Sequence, residues 1–205
     1  MLFNSYIFVF LFLPVTIVGY FLLNKLPRPT LAHLFLLGMS LWFYGYFNIA
    51  YLPIIIVSII FNFCIYKILS HGHKKNFRVT VLIVAIVANL GILFYFKYFD
   101  FFIENINSIF HRNFTLRHLV LPLGISFFTF QQLSFVIDSY KREIPKYNFI
   151  EYALFVTYFP QLIAGPIVTH DELVPQFHDA RKRHLNWENF PGGGCSCSLW
   201  VWPKR

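Results

Sequence analysis

Residues 121–143, LPLGISFFTFQQLSFVIDSYKRE, set Ser126, Thr129, Gln131, Gln132, Ser134 and Asp138 into an otherwise apolar run. At helical spacing Thr129 and Gln132 fall near one face, and Asp138 is taken with them as a third polar group of the run. Polar groups at membrane depth are costly unless they face a bundle interior or a cavity. Two uses fit such a face: hydrogen bonds between helices, or the lining of a substrate tunnel. Residues 158–177, YFPQLIAGPIVTHDELVPQF, place Pro160, Gly165 and Pro166 beside Gln161, Thr169, His170, Asp171 and Glu172. Unwound backbone flanked by polar side chains is how membrane proteins build binding sites. The plainer reading is a hydrated turn at the interface. Thr129, Gln132, Asp138, Gln161 and His170 are the candidate tunnel-lining residues, with no catalytic residue and no metal ligand assigned.

Motifs for other chemistries are missing. The eight histidines form no HExxH pattern, and none is followed five residues later by aspartate. Neither a P-loop nor a GxSxG elbow occurs. His71 and His73 flank Gly72 in a basic loop and read as solvated, because two ligands rarely hold a metal. Cys64 lies within an apolar span, where it serves as a small hydrophobe.

The elements that must position these residues are membrane helices. Hydrophobic residues make up 57% of the chain and charged residues 13%, with 27 phenylalanines and a mean hydropathy of +0.58. A soluble domain has about 45–50% apolar and about 25% charged residues. Hydrocarbon must therefore be part of the solvent. The net charge of +8 comes in short clusters between apolar spans, which points to loops at an anionic leaflet and away from nucleic acid.

Five stretches are long enough to cross: residues 4–23, 30–47, 49–69, 77–103 and 118–140. Lys25 and Arg28 follow the first, Lys74, Lys75 and Arg78 the third, and Lys141, Arg142 and Lys146 the fifth. The intervening loops carry few basic residues, so the N-terminus is expected outside and the basic loops in the cytoplasm. A sixth stretch, residues 149–168, is interrupted by Pro160, Gly165 and Pro166 and is followed by Arg181, Lys182 and Arg183. The charge pattern favours a broken or re-entrant segment there. The expected fold is all-α and polytopic, in the cytoplasmic membrane.

The strings at 121–143 and 158–177, in this order, resemble the membrane-bound O-acyltransferase (MBOAT) family. The likeness is to its bacterial branch of alginate O-acetyltransferase and D-alanyl transfer proteins, over about residues 1–190. The resemblance implies a helical ring around a thin centre, where an acyl group passes from a donor, acetyl-CoA or another acyl carrier, to a hydroxyl. It implies no bound cofactor, an exported polysaccharide such as alginate as acceptor, membrane lipid around the ring, and an extracytoplasmic acetyltransferase partner. The family's catalytic histidine lies on a later helix, so none of the histidines here is carried over. A small transporter or channel subunit, with 149–168 binding a solute, is the competing expectation; internal inverted repeats would favour it, and none is found.

Residues 191–205, PGGGCSCSLWVWPKR, change character abruptly. Read from the third base of the Pro191 codon, Cys195, Cys197, Trp200 and Trp202 each become Leu, Met or Val. Ser196 and Ser198 become Phe or Leu if their codons begin TC. The shifted string is an apolar helix, so 191–205 is expected to be a frame-shifted tail and its cysteines no metal site. The expected result is a fragment without transferase activity, with Gln132 and Asp138 left facing lipid for want of neighbours.

Overall fold

A computed structural model describes residues 5–25, 29–71, 74–110, 115, 121–122, 124–141, 144–145 and 147–159. Seven α-helices are formed among them: α1 Leu13–Asn24, α2 Pro29–Phe47, α3 Leu52–Ser70, α4 Lys75–Lys97, α5 Phe99–Phe110, α6 Ile125–Lys141 and α7 Phe149–Thr157. No strand occurs among the described residues. This is an all-α membrane protein. The stretches Ile49–Ser70 and Lys75–Lys97 are long and apolar enough to cross a bilayer. The chain divides into two compact units, residues 1–53 with 144–205, and residues 54–143.

In the first unit, α1 is preceded by a wide π-helical turn, Phe8–Phe12. Its closing bond runs from the Leu13 N–H to the Phe8 carbonyl, five residues back. The sequence supplies the reason. Pro14, next along, has no N–H for the Phe10 carbonyl, and its ring crowds that carbonyl. The turn aims Phe8 and Phe12 at Met39, Phe43 and Phe159 in one buried cluster. Ring centroids there lie 5.2 Å apart for Phe12–Phe159 and 5.5 Å for Phe12–Phe43. The buried positions of α2, including Ala32, Leu36, Met39, Ser40, Phe43 and Tyr44, recur at the spacing of one helix face.

α7 opens on a capping box. The Asn148 side chain accepts from the backbone of Glu151, and the Glu151 carboxylate accepts from the Asn148 N–H at 3.0 Å. Residues 151–157 are then all buried. The helix stops at Thr157, where Tyr158 turns to φ −55°, ψ 106°. Its nine residues rise only about 14 Å, against about 30 Å of hydrocarbon. The break expected at 160–166 lies outside the described residues; within them, α7 ends at Thr157, before Pro160.

In the second unit, α3, α4 and α6 meet along narrow seams. The buried residues of α4 are Ala85, Asn89 and Leu93, a single stripe at intervals of four. Ala85 is fully enclosed beside Ile65, Leu69 and Val136, and a small side chain at that point lets the backbones come close. Arg78 ties the ends of α4 and α6 together: its guanidinium donates to the Tyr140 carbonyl and lies 5.1 Å over the Tyr140 ring. That carbonyl is one of the last four of α6, which lack partners within the helix.

Two expected boundaries are corrected. The span placed at 118–140 starts as a helix at Ile125, because Gly124 adopts φ 65° and Pro122 precedes it; Gly is suited to that left-handed conformation. The span placed at 77–103 ends at Lys97, and Tyr98, at φ −115°, ψ −7°, separates it from α5. The 23 residues of α4 already rise about 34 Å, so nothing further is needed for one crossing.

Ala85→Leu should cost about 1–3 kcal/mol by overpacking the seam. Thermal unfolding in detergent checks this, with Val84→Leu on the open face as a control expected near wild type.

Candidate functional site

The polar residues of α6 do not stand alone. Gln132 is fully buried, and its Oε1 accepts from the Ser58 hydroxyl at 2.6 Å and from Asn62 Nδ2 at 2.5 Å. Asn62 and Asn89 exchange a reciprocal pair of bonds, Nδ2 to Oδ1 at 3.0 Å one way and 2.7 Å the other. Each asparagine also donates to the carbonyl four residues before it, Ser58 at 2.9 Å and Ala85 at 2.8 Å. Four side chains from α3, α4 and α6 thus form one network, every member 3% exposed or less. In a medium of low dielectric such bonds are strong and an unmade one is costly.

Two buried polar atoms of α6 stay unmatched, one in the network and one next to it in the chain. Among the described residues Gln132 Nε2 and Gln131 Oε1 are buried and have no hydrogen-bond partner. One is a donor and the other an acceptor, the pair of functions that a hydroxyl group can answer. Thr129, three residues before Gln132, is also buried, at 2% exposure. Asp138 is half-buried and accepts from the Ser134 hydroxyl at 3.4 Å.

Among the candidate residues, the structure therefore brings Thr129 and Gln132 into the interior of the second unit, and leaves Asp138 at its margin. Gln161 and His170 lie outside the described residues. The expectation that Gln132 would face lipid is overturned, because α3 and α4 supply its partners within the same chain. Asp138, for its part, is not fully exposed. Ser58, Asn62 and Asn89 were passed over in the sequence as members of generic apolar spans. A usable signal was present, since an asparagine in mid-span must find a partner.

The first unit holds a separate cavity of about 270 Å³, lined by Thr30, His33, Asn148, Phe149, Ile150 and Glu151. It lies where α2 and α7 begin. His33 and Glu151 are only 7% and 8% exposed, and neither stood out in the sequence. Among the described residues no cluster of three His, Cys, Asp or Glu could hold a metal ion. His71 is exposed, with Nδ1 2.6 Å from the Lys67 carbonyl.

The model of the membrane-bound O-acyltransferase family, MBOAT, matches residues 56–202, most of the chain. The chain belongs to that family. It is 39% identical to the peptidoglycan O-acetyltransferase of Helicobacter pylori, an alignment covering all of this chain and 44% of that protein. It is 38% identical to the probable alginate O-acetylase AlgI of Pseudomonas aeruginosa, over 87% of this chain and 35% of the relative. The AlgI of Azotobacter vinelandii is 35% identical over the same share of this chain. The chain thus spans less than half the length of these relatives. No solved structure matches it. Both the α3–α4–α6 network, apart from Ser58 at its edge, and the segment after Tyr158 lie well inside the matched family region.

A double-mutant cycle on Asn62→Leu and Gln132→Leu should give a coupling of about 0.5–1.7 kcal/mol, the range of buried interhelical hydrogen bonds in membranes. Unfolding in mixed micelles measures it. The pair Asn105→Leu and Gln132→Leu, with Asn105 exposed on α5, should show strict additivity.

Proposed function

We propose that this chain is the N-terminal part of a membrane O-acetyltransferase that esterifies sugar hydroxyls of a cell-envelope polysaccharide. The observation that carries the reading is the family match over residues 56–202 together with relatives named for acetylating peptidoglycan and alginate. The same match favours acyl transfer over solute transport. In the reaction the sugar oxygen attacks the thioester carbonyl of acetyl-CoA or another acyl carrier. A C–O bond forms, the C–S bond breaks, the thiol leaves, and the hydroxyl proton passes to a base. An imidazole suits that task, since it titrates near neutrality and contributes about 10²–10⁴-fold.

In this proposal the base is supplied by a later helix, while α6 lines the path. Gln132 Nε2 and Gln131 Oε1 are the atoms through which α6 meets a hydroxyl, with Thr129 on the same helix; Gln161 and His170 stay candidates from the sequence alone. The orientation is N-terminus out, in the cytoplasmic membrane, with several crossings. The donor arrives from the cytoplasm, and an extracytoplasmic acetyltransferase completes delivery to the polymer. The charge alternation of the loops supports this orientation.

Two measurements test the reading. Residues 1–205 are expressed beside a chain whose reading frame is restored before Pro191 and continued downstream. Base-labile acetate is then measured on purified peptidoglycan and alginate. Ester should appear only with the restored chain; transfer by residues 1–205 alone would contradict the assignment of the base, and no ester on either polymer would contradict the acceptor. For orientation, an impermeant thiol reagent should label Asn48→Cys from outside and leave Lys74→Cys unlabelled, in a background without Cys64, Cys195 and Cys197. Labelling at position 74 reverses the topology.

A further inference from the structure

α5 is unlike its neighbours. α3 and α4 are apolar nearly all round, whereas α5, FDFFIENINSIF, is sharply two-sided. At about 100° per residue, Phe99, Phe102, Ile103, Ile106 and Ile109 fall within about 120° of arc. Asp100, Glu104, Asn105, Asn107 and Ser108 take the other side, with Phe101 the apolar exception. Such a pattern marks a helix that lies between an apolar medium and water.

Its position in the chain says which apolar medium. α4 ends at Lys97 after a full crossing length, and the Lys97 ammonium sits 5.3 Å over the Tyr98 ring. Lysine and tyrosine together are residues of the membrane–water boundary. α5 begins at the next residue. Its first turn packs on the last turn of α4, with Phe102 4.9 Å from Phe94 and Phe99 5.6 Å from Tyr95 between ring centroids. Beyond that the apolar side is only partly covered: Ile109 is 70% exposed and Phe102 keeps 49%, while Ile103 and Ile106 are half-buried. Glu104 and Asn105 are exposed on the polar side. A carboxylate there holds that side in water, because burying it in hydrocarbon is costly.

We propose that α5 lies along the membrane surface, with Phe102, Ile106 and Ile109 sunk into the boundary between headgroups and acyl chains. Its ligand is the bilayer itself. No lysine or arginine occurs on α5, and Asp100 and Glu104 are acidic. The attachment therefore rests on apolar burial, and neutral phosphatidylcholine suffices for it. α5 acts as a collar that fixes the end of α4 at the membrane surface, next to the connection into α6.

The test uses the whole chain without Cys64, Cys195 and Cys197, in phosphatidylcholine nanodiscs. Ile106→Cys, Ile109→Cys, Glu104→Cys and Ser108→Cys are labelled singly with the environment-sensitive fluorophore NBD. At 106 and 109, emission should be blue-shifted and quenched several-fold more by a lipid with a shallow acyl-chain nitroxide than by iodide. At 104 and 108 the order should reverse. Equal iodide quenching at all four positions would place the helix in water and overturn the proposal. Protection of 106 and 109 from both quenchers would mean that protein covers the face, and overturns it too. A requirement for anionic lipid would refute attachment by apolar burial.

Discussion

A carboxamide in hydrocarbon must find its partners inside the protein, and Asn62 is where this chain meets that demand. Its single NH₂ group has three acceptors within reach: the Ser58 carbonyl, Asn89 Oδ1 and Gln132 Oε1. Two hydrogens serve three oxygens, so at least one bond is shared. No neighbouring register of α3, α4 and α6 keeps all of these groups paired. The helix seam agrees with the polar pairing, because Ala85, one turn before Asn89, is the small residue that lets α4 approach. Non-directional apolar contacts would tolerate sliding in lipid; the network does not.

The same network determines what α6 presents. Gln132 spends its oxygen on Ser58 and Asn62 and keeps its nitrogen unpaired. Its carboxamide plane is therefore held from one side, and a held donor loses little freedom when it meets a ligand. Gln131, with an unpaired oxygen, sits next to it in the chain. In the first unit, alignment comes instead from rings: the wide turn forced by Pro14 delivers Phe8 and Phe12 to Phe159. Phe159 is the last described residue before the proline- and glycine-rich segment.

Much of this architecture was legible because membrane solvent makes strong rules. Long apolar runs had to be helices, and the positions of α1 to α4 follow from them. Gln132 was legible as a group that needs a polar neighbour, because an amide in such a run is costly in lipid, but not as one whose neighbours this chain itself supplies. Its partners were not, since the pairing of Asn62 with Asn89 and of Ser58 with Gln132 is a long-range match that no periodicity encodes. The end of α4 was missed for a different reason. Phenylalanines on both sides of Tyr98 kept the local hydropathy high, although the pattern changes there from apolar all round to two-sided. The wide turn at Phe8–Phe12 was also readable in principle from Pro14. Gln161 and His170 themselves lie outside the described residues, and their surroundings follow from neither periodicity nor composition.

The central claim is that Asn62 and Gln132 are in direct contact inside the membrane. Solid-state NMR of the chain in lipid bilayers, with ¹⁵N-labelled asparagine and ¹³C-labelled glutamine, tests it most directly. The account predicts a dipolar cross-peak between the Asn62 side-chain nitrogen and the Gln132 side-chain carbonyl carbon, protected from deuterium exchange and lost in Gln132→Leu. An Asn62 amide that exchanges rapidly with D₂O and shows no contact to glutamine would contradict it.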